Sequence, residues 1–267
     1  MYTIGIDSGS VATKGVLYDG TRVVDRLLVP TGWSPRDSAR ALREALMSRS
    51  GLQTVDCLVG TGYGRVTMDF ADKLVTEITC HGRGIHTLNP AIRALVDIGG
   101  QDSKVIALDE NGAVREFMMN DKCAAGTGRF LQNTLTHLGE DIAHLDALAE
   151  GAAAEKITSM CTVFAESEIV SLLAKGVSKG AIAAGIVESV TERVAALLGR
   201  VRIDGAVAFT GGVSSSAAVC RSLERRLGSP LYRPECAQYI GAMGAAVIAW
   251  REVSAQSPAF ETEYRVQ

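Results

Sequence analysis

The 267-residue chain is long enough for one large domain or two lobes, and 47% of its residues are hydrophobic, so it can bury a sizeable core. Its formal net charge of −3 lacks the basic surplus that indicates nucleic-acid binding. The sequence shows no run of about 18 apolar residues for a membrane span and no secretory-signal pattern after Met1. Six cysteines without the spacing of a disulfide framework favour a reducing cytoplasm.

A β-hairpin is the first predicted element and covers residues 2–20. A strand ends at Asp7, a turn rich in glycine and serine follows over residues 8–14, and a second strand covers Gly15–Tyr18. Such a turn can offer backbone N–H groups and hydroxyls to a phosphate, although most turns of this kind only reverse the chain. On its own this hairpin is therefore weak support for a phosphate site.

Four elements follow, which the pattern predicts to be a helix, a strand, a loop and a helix: Ser34–Met47, Val55–Val59, Thr61–Arg65 and a segment from Glu77. Ser34 is the predicted N-cap of the first helix and Pro35 its first residue. Cys80 and His81 in the second helix could be metal ligands. Adjacent helical residues point about 100° apart, and no matching pair is visible, so a structural role is favoured for both.

The hairpin recurs 90 positions further along the chain. Asp7 corresponds to Asp97 and Lys14 to Lys104, and the second copy runs through Gly99 and Gly100 into an apolar strand at Val105–Leu108. An internal repeat of strand, phosphate-type turn and strand predicts two similar lobes that would hold one polyphosphate between them.

Two cysteines stand in similar surroundings. Helical periodicity follows both Cys123 and Cys161, which predicts that each thiol lies at a helix N-terminus, where an anion is favoured. They could be buried structural residues, or they could be thiolates that bind a metal centre. They are 38 positions apart (161 minus 123) and neither lies in a Cys-x-x-Cys pair. Two copies of the chain would supply four thiolates, which suggests a symmetric dimer sharing a 4Fe-4S cluster.

The last third of the chain adds one more turn of interest. A long helix is predicted over Ser178–Arg200, then a strand over Ala206–Thr210 that enters Gly211 and Gly212 before a helix to about Leu227. Because glycine lets the backbone approach a ligand closely, this turn is a candidate nucleotide site. A further helix is predicted over residues 238–246, and residues 252–267 have the pattern of a surface tail.

The sequence resembles the superfamily of acetate and sugar kinases, heat-shock chaperones and actin (ASKHA). The segments that carry the resemblance are 4–20, 75–84, 96–108, 206–217 and 238–247. It implies an α/β, two-lobed, ribonuclease H-like fold with duplicated β-hairpin phosphate motifs. The implied lobes are residues 1–95 with about 238–267, and residues 96–237.

More narrowly, residues 96–104, 120–130 and 161–171 resemble the activator ATPases of 2-hydroxyacyl-CoA dehydratases, which are related to the ATPase subunits of benzoyl-CoA reductase. The resemblance implies a homodimer in which Cys123 and Cys161 of each chain bind one 4Fe-4S cluster. Such activators receive an electron from ferredoxin or flavodoxin and use ATP to pass it to a dehydratase. In this hypothesis ATP binding closes the lobes and moves the cysteine helices.

The resemblance also implies roles by position. Asp7 and Asp97 would hold Mg²⁺ through water, and Gln101 or Asp102 would orient the attacking water. The implied nucleotide contacts are Ser10, Val11, Ala12, Thr13, Lys14, Gly99, Gly100, Gln101, Asp102, Gly211, Gly212 and Gln238. Val11 departs from the family pattern, which has a threonine there, and the change removes one hydroxyl. Asp102 could instead cap a turn, and Gln238 could cap a helix.

Three alternatives remain open at the level of sequence. A small-molecule kinase of the same fold would have no use for Cys123 and Cys161. A nucleotide-dependent chaperone or filament module would need additional domains, for which 267 residues leave little room. An activator of a benzoyl-CoA reductase or of a double-cubane-cluster reductase shares the same motifs, and the sequence does not distinguish it from a dehydratase activator.

Overall fold

The structure is a computed structural model that describes residues 1–159 and 162–256. The strands of the described chain are β1 (Thr3–Ser8), β2 (Ala12–Tyr18), β3 (Val23–Pro30), β4 (Cys57–Thr61), β5 (Lys73–Leu74), β6 (Ile92–Ile98), β7 (Ser103–Leu108), β8 (Val114–Asn120), β9 (Ala206–Thr210) and β10 (Leu231–Tyr232). The α-helices are α1 (Pro35–Arg49), α2 (Glu77–Leu88), α3 (Gly128–His137), α4 (Leu145–Ala149), α5 (Thr162–Ala174), α6 (Lys179–Leu198), α7 (Ala217–Leu227) and α8 (Ile240–Gln256). No helix among these residues has the length and apolar character needed to cross a membrane.

The chain forms two compact α/β units. The first contains residues 1–90, residues 110–114 and the C-terminal segment from Gln238, and the second contains residues 91–109 and 115–237. Each unit is built on one five-stranded sheet. The strand orders are β3-β2-β1-β4-β5 in the first unit and β10-β9-β6-β7-β8 in the second.

In the first unit, α1 covers one face of the sheet and α8 covers the other. Leu42 and Leu46 of α1 pack with Ile4 and Ile6, whereas Val16 and other residues of β2 pack with apolar residues of α8. Successive residues of a strand therefore face opposite helices, because side chains alternate between the two faces of a sheet. As predicted, α1 begins at Pro35, and the side chain of Ser34 accepts a hydrogen bond from the backbone N–H of Asp37.

Glycine allows α8 to lie directly on its neighbours. A Cβ at Gly5 would lie 2.0 Å from the carbonyl oxygen of Ala242, and one at Gly244 would lie 1.8 Å from the carbonyl oxygen of Cys80. Backbone atoms of β1, α2 and α8 thus come closer than side chains would permit. The glycines and alanines of α8 serve this purpose.

The internal repeat is confirmed by the pairing of the strands. Antiparallel pairing puts Asp7 opposite Lys14 in β1 and β2, and Asp97 opposite Lys104 in β6 and β7. In both units the first strand also pairs in parallel with a later one, β4 or β9. The two sheets therefore share the same strand order and the same register of the first hairpin.

Several predicted element boundaries were wrong. Both second hairpin strands begin earlier than predicted, β2 at Ala12 and β7 at Ser103, because residues expected in the turns pair with the preceding strand. The strand predicted at Val55–Val59 lies at Cys57–Thr61. Helix α8 continues to Gln256, beyond the predicted start of a tail, and the remainder of that tail lies outside the described residues.

Candidate functional site: two phosphate-type turns and a cysteine loop

The turn between β1 and β2 contains only three residues, 9–11. It is closed by a hydrogen bond from the backbone N–H of Gly9 to the carbonyl oxygen of Ala12, 3.1 Å long. Asp7 is buried at the end of β1, and the Nζ of Lys14 lies 3.8 Å from its Oδ2. The sequence-predicted residues Asp7 and Lys14 are thus brought together beside a short turn.

The side chain of Thr13 lies inside the first unit. Its Oγ1 is 3.0 Å from the Oγ1 of Thr31, which in turn donates to the carbonyl oxygen of Gly9 at 2.7 Å. These bonds support the turn from within and occupy the Thr13 hydroxyl. Ser10 and Ala12 are partly exposed, and Val11 is 46% exposed.

The second turn repeats the closing hydrogen bond and the lysine–aspartate pair of the first. The backbone N–H of Gly99 donates to the carbonyl oxygen of Asp102 at 2.9 Å, and the Nζ of Lys104 lies 3.7 Å from the Oδ2 of Asp97. Two contacts are peculiar to this copy: Lys104 donates to the Oδ1 of Asp102 at 2.8 Å, and Thr210 donates to the Oδ1 of Asp97 at 2.7 Å. Asp97 is therefore held from two sides, while Gln101 is exposed.

A second repeat was missed in the sequence analysis. Gly62 and Gly211 follow β4 and β9, have φ values of 86° and 85°, and precede 3-10 helices at Tyr63–Thr67 and Gly212–Ser215. A Cβ at Gly62 would lie 2.3 Å from the Oδ1 of Asp7. The loop at 61–65 is thus the counterpart of the candidate nucleotide turn at Gly211 and Gly212. The Thr-Gly pair at the end of each strand is the signal that could have revealed it.

Gly212 and Gln238, also predicted at the nucleotide, lie in different settings. Gly212 is exposed, and a Cβ there would have no atom within 4 Å. Gln238 is partly buried in a short 3-10 helix, Ala237–Tyr239, directly before α8.

Cys123 lies in a loop, and its predicted position at a helix N-terminus was wrong. Helix α3 begins only at Gly128, because the intervening residues form turns between β8 and the helix. The loop is shaped by Asn120, whose Nδ2 donates to the carbonyl oxygens of Cys123 at 3.0 Å and Ala125 at 2.8 Å. The thiol of Cys123 is exposed.

Met160 and Cys161 lie outside the described residues, but the segments that end at Ser159 and begin at Thr162 are described. Helix α5 begins at Thr162, directly after Cys161. On the other side, the Glu168 carboxylate accepts hydrogen bonds of 2.8 Å from the backbone N–H groups of Thr158 and Ser159. Burial alone would raise the pKa of Glu168, but hydrogen bonds from Ser159 and Thr158 lower it to about 2. Helix α5 thus holds the residues that precede Cys161.

The Cys123 loop is joined directly to the second phosphate-type turn. At the start of α3, the backbone N–H of Gly128 donates to the carbonyl oxygen of Gly99 at 2.9 Å, and that of Arg129 donates to Gly100 at 2.8 Å. A Cβ at Gly128 would lie 3.1 Å from the Gly99 oxygen and 3.2 Å from the Cγ2 of Val213. Helix α3, which follows the Cys123 loop, therefore begins in direct contact with the second phosphate-type turn.

Cys80 and His81 fit the structural interpretation. Cys80 is fully buried, and burial raises the pKa of its thiol to about 12, so the thiol stays protonated at neutral pH. The Nδ1 of His81 lies 2.9 Å from the carbonyl oxygen of Glu77. Within the described part of the chain, no group of three or more His, Cys, Asp or Glu side chains could hold a metal ion.

Relatives with similar sequences cover almost the whole chain. The uncharacterized protein YjiL of Escherichia coli K12 is 50% identical over 94% of this chain and 97% of its own. The 2-hydroxyisocaproyl-CoA dehydratase activator of Clostridioides difficile is 41% identical over 94% of this chain and 96% of its own. One of the subunits of the benzoyl-CoA reductase of Thauera aromatica is 33% identical over 92% of each chain.

Solved structures agree with this grouping. Component A of the Acidaminococcus fermentans (R)-2-hydroxyglutaryl-CoA dehydratase has a TM-score of 0.90 and 39% identity, over 95% of this chain and 99% of its own. The Clostridium difficile 2-hydroxyisocaproyl-CoA dehydratase activator with bound ADPNP has a TM-score of 0.90 and 37% identity over both full chains. A hexokinase of the ROK family from Thermus thermophilus, 15% identical with a TM-score of 0.56 over 96% of this chain and 100% of its own, shares the fold alone.

These likenesses confirm the predicted ASKHA-type fold, with its two mixed sheets and duplicated hairpins. A family model described as the BadF/BadG/BcrA/BcrD ATPase family matches residues 4–249, which include both phosphate-type turns and the cysteine loop. The chain therefore belongs to the BadF/BadG/BcrA/BcrD family and is an ATPase.

Proposed function

We propose that this ATPase is an activator that donates single electrons to a 2-hydroxyacyl-CoA dehydratase. In the proposal, Cys123 and Cys161 of two identical chains bind one 4Fe-4S cluster, which supplies a one-electron store when bound. Ferredoxin or flavodoxin would reduce the protein, and ATP hydrolysis would make the transfer to the dehydratase one-way. The names of relatives, among them a dehydratase activator 41% identical to this chain, support the choice of partner.

The observation on which this proposal rests is the pair of hydrogen bonds between α3 and the second turn. Gly99 and Gly100 accept from Gly128 and Arg129, so a nucleotide that displaced the turn would also displace the start of α3. The Cys123 loop leads directly into that helix. A change at the phosphate-type turn can therefore alter the position of the Cys123 thiol without a long relay.

The described residues around Cys123 suit an anionic, thiolate-bound centre. The thiol is exposed, and the loop that holds it is fixed by Asn120 through two carbonyl oxygens. Thiolates are the ligands that iron–sulfur clusters require. An exposed ligand of this kind can be shared with a second chain.

Apolar side chains beside the two cysteine segments favour a dimer. Phe117 in β8 is 49% exposed, Phe164 in α5 is 69% exposed, and Val170 in the same helix is 57% exposed. Large apolar side chains next to a candidate ligand are typical of a surface that another chain covers. We infer that these side chains lie in the proposed two-fold interface.

The phosphate-type turns supply the groups that ATP hydrolysis needs. Buried carboxylates at the ends of β1 and β6, Asp7 and Asp97, are hard oxygen donors suited to Mg²⁺ with its water shell. Mg²⁺ would neutralise charge on the phosphates. Exposed Gln101, or Asp102 through its carboxylate, would orient the attacking water. The backbone N–H group of Gly100 and the ammonium of Lys14 would bind phosphate oxygens.

Two other functions stand as alternatives, and the experiment described below tests the second of them. The relationship to a benzoyl-CoA reductase component favours a benzoyl-CoA reductase or double-cubane-cluster reductase as the alternative partner. A small-molecule kinase without a cluster is the second alternative, since sugar kinases share the fold.

The decisive experiment is anaerobic purification of the wild type and of Cys123→Ala, with iron, acid-labile sulfide and native mass measured on both. We expect about four irons per dimer in the wild type and loss of both iron and dimer in the variant. Cys57→Ala, at a buried position in the first unit, is the control and should keep its iron. An iron-free wild type that phosphorylates a sugar after reconstitution would establish the kinase instead.

A further inference from the structure

A single arginine of α6 contacts the segments that contain the two cysteines. The Nη2 of Arg193 donates a hydrogen bond of 3.2 Å to the carbonyl oxygen of Ser159, which lies two residues before Cys161. Glu168 holds the N–H of the same residue. Ser159 is therefore fixed through both of its backbone polar groups, one by α5 and one by α6.

The other contacts of Arg193 are with the Cys123 segment. Its guanidinium carbon lies 5.6 Å from the centre of the Phe130 ring, in the first turn of α3. A Cβ at Gly126 would lie 3.5 Å from the Cβ and 3.7 Å from the Cδ of Arg193, so the stem of the arginine runs alongside the loop. One side chain thus spans from the Cys123 loop to the residues before Cys161.

The orientation of the guanidinium is fixed from its own helix. Its Nη1 donates to the carbonyl oxygen of Ser189 at 3.0 Å and also contacts the Ser189 hydroxyl. Burial of the guanidinium lowers the pKa of Arg193. An arginine still carries its charge at neutral pH because its pKa starts above 12. A fixed positive charge therefore stands beside the loop that contains Cys123.

We propose that Arg193 is a positioning residue that holds the two cysteine segments in one arrangement and places a permanent positive charge beside the centre they bind. We call the contacts that hold the two cysteine segments together the tether. The tether does not depend on the proposed function, whereas the role of the charge rests on it. A nearby positive charge stabilises the reduced, more negative form of a cluster, so it raises the reduction potential. Only the planar guanidinium can reach both Ser159 and Ser189, so lysine would supply the charge without the tether.

Two variants separate these roles, and a third is the control. Arg193→Met removes both charge and tether, and Arg193→Lys removes the tether alone. Arg200→Met removes an exposed charge two residues beyond the end of the same helix. Amide hydrogen exchange over residues 155–170 of the iron-free protein measures whether the tether holds that segment. Anaerobic redox titration of the iron-loaded protein measures the effect of the charge on the reduction potential.

We expect exchange to become about tenfold faster in both Arg193 variants and to stay unchanged in Arg200→Met. The potential should fall in Arg193→Met by about 59 mV, which is a tenfold change for one electron, and should stay near the wild-type value in Arg193→Lys. Unchanged exchange in both Arg193 variants would overturn the tether, and an unchanged potential in Arg193→Met would overturn the charge. If the wild type bound no iron, the proposed function would fail, while the exchange data would still decide the tether.

Discussion

Lys104 and Asp97 form a buried ion pair, with the Nζ 3.7 Å from the Oδ2 and the two side chains only 3% and 5% exposed. The equivalent pair of the first unit, Lys14 and Asp7, has almost the same separation, 3.8 Å, but its lysine is 18% exposed. Lys104 also bonds Asp102 at 2.8 Å. The two copies of the motif thus differ in how deeply the lysine is buried and in how many carboxylates it contacts.

This difference predicts unequal effects of the same substitution. Lys104→Met should lower the free energy of unfolding by about 3–5 kcal/mol, because it leaves two carboxylates without their buried partner. Lys14→Met is the matched variant and should cost less, since water reaches its site. Urea denaturation followed by circular dichroism measures both. Equal losses in the two variants would show that burial does not set the contribution of the lysine.

Gly128→Ala should weaken the communication between the phosphate-type turn and the cysteine loop. The added Cβ would lie 3.1 Å from the Gly99 oxygen, so the helix start must move away from the turn by a few tenths of an ångström. We expect an ATP analogue to change the labelling rate of the Cys123 thiol in the iron-free wild type, and this change to be at least halved in the variant.

Mass spectrometry of labelled peptides would distinguish Cys123 from the other thiols. Gly199→Ala is the control, because a Cβ there meets its nearest atom at 3.6 Å. If Gly128→Ala still bound nucleotide and kept the full labelling response, the hydrogen bonds from the start of α3 to Gly99 and Gly100 would not be the route of communication.

Glu168 should make the Cys161 segment sensitive to acid. Its pKa is lowered from 4.5 to about 2, so its contribution to stability is present above pH 4.5 and is lost as the pH falls towards 2. Glu168→Gln should therefore lose stability at pH 7 and show a weaker dependence on pH in that window. Because the carboxylate is largely solvated, the loss should be at most about 1 kcal/mol.

Thermal unfolding between pH 2 and 7 tests this prediction. Glu235→Gln, at an exposed glutamate of the same unit, should follow the wild-type curve. A Glu168→Gln curve parallel to the wild-type curve through the whole acid range would show that Glu168 titrates alike in the folded and unfolded chains.

Gly244→Ala should destabilise the first unit. The new methyl group would lie 1.8 Å from the carbonyl oxygen of Cys80 and 2.8 Å from the backbone N of Gly84, and neither backbone atom can rotate away. We expect a loss of about 3 kcal/mol or more in urea denaturation, with Gly199→Ala as the tolerated alanine substitution. A variant as stable as the wild type would mean that α2 and α8 can separate at little cost.

The repeat was predictable because the same residue types recur at the same spacing, Asp7 with Lys14 and Asp97 with Lys104. The turn lengths were not predictable. Thr13 has the composition of a turn residue, yet pairing with Ser8 makes it part of β2. Local composition gives only a preference for turn or strand, and here the pairing with the neighbouring strand overrides that preference.

The same reasoning explains the error at Cys123. The periodicity that begins at Phe130 correctly indicated a helix, but the start of α3 coincides with hydrogen bonds to Gly99 and Gly100, almost thirty residues away. Arg193 was missed because its partner Ser159 is 34 positions distant. The roles of the individual site residues and the lobe limits stay predictions.

The order of the chain has a consequence for how the protein folds during synthesis. Helix α8, which covers β1 and packs closely on α2, is formed by residues 240–256, whereas the second unit ends at residue 237. Residues 1–90 of the first unit are therefore synthesised before the second unit, whereas α8, which completes the core of the first unit, is synthesised after it. A released chain that ended before Ile240 would contain every residue of the second unit but would leave an apolar face of the first sheet uncovered, which is the kind of surface that chaperones bind.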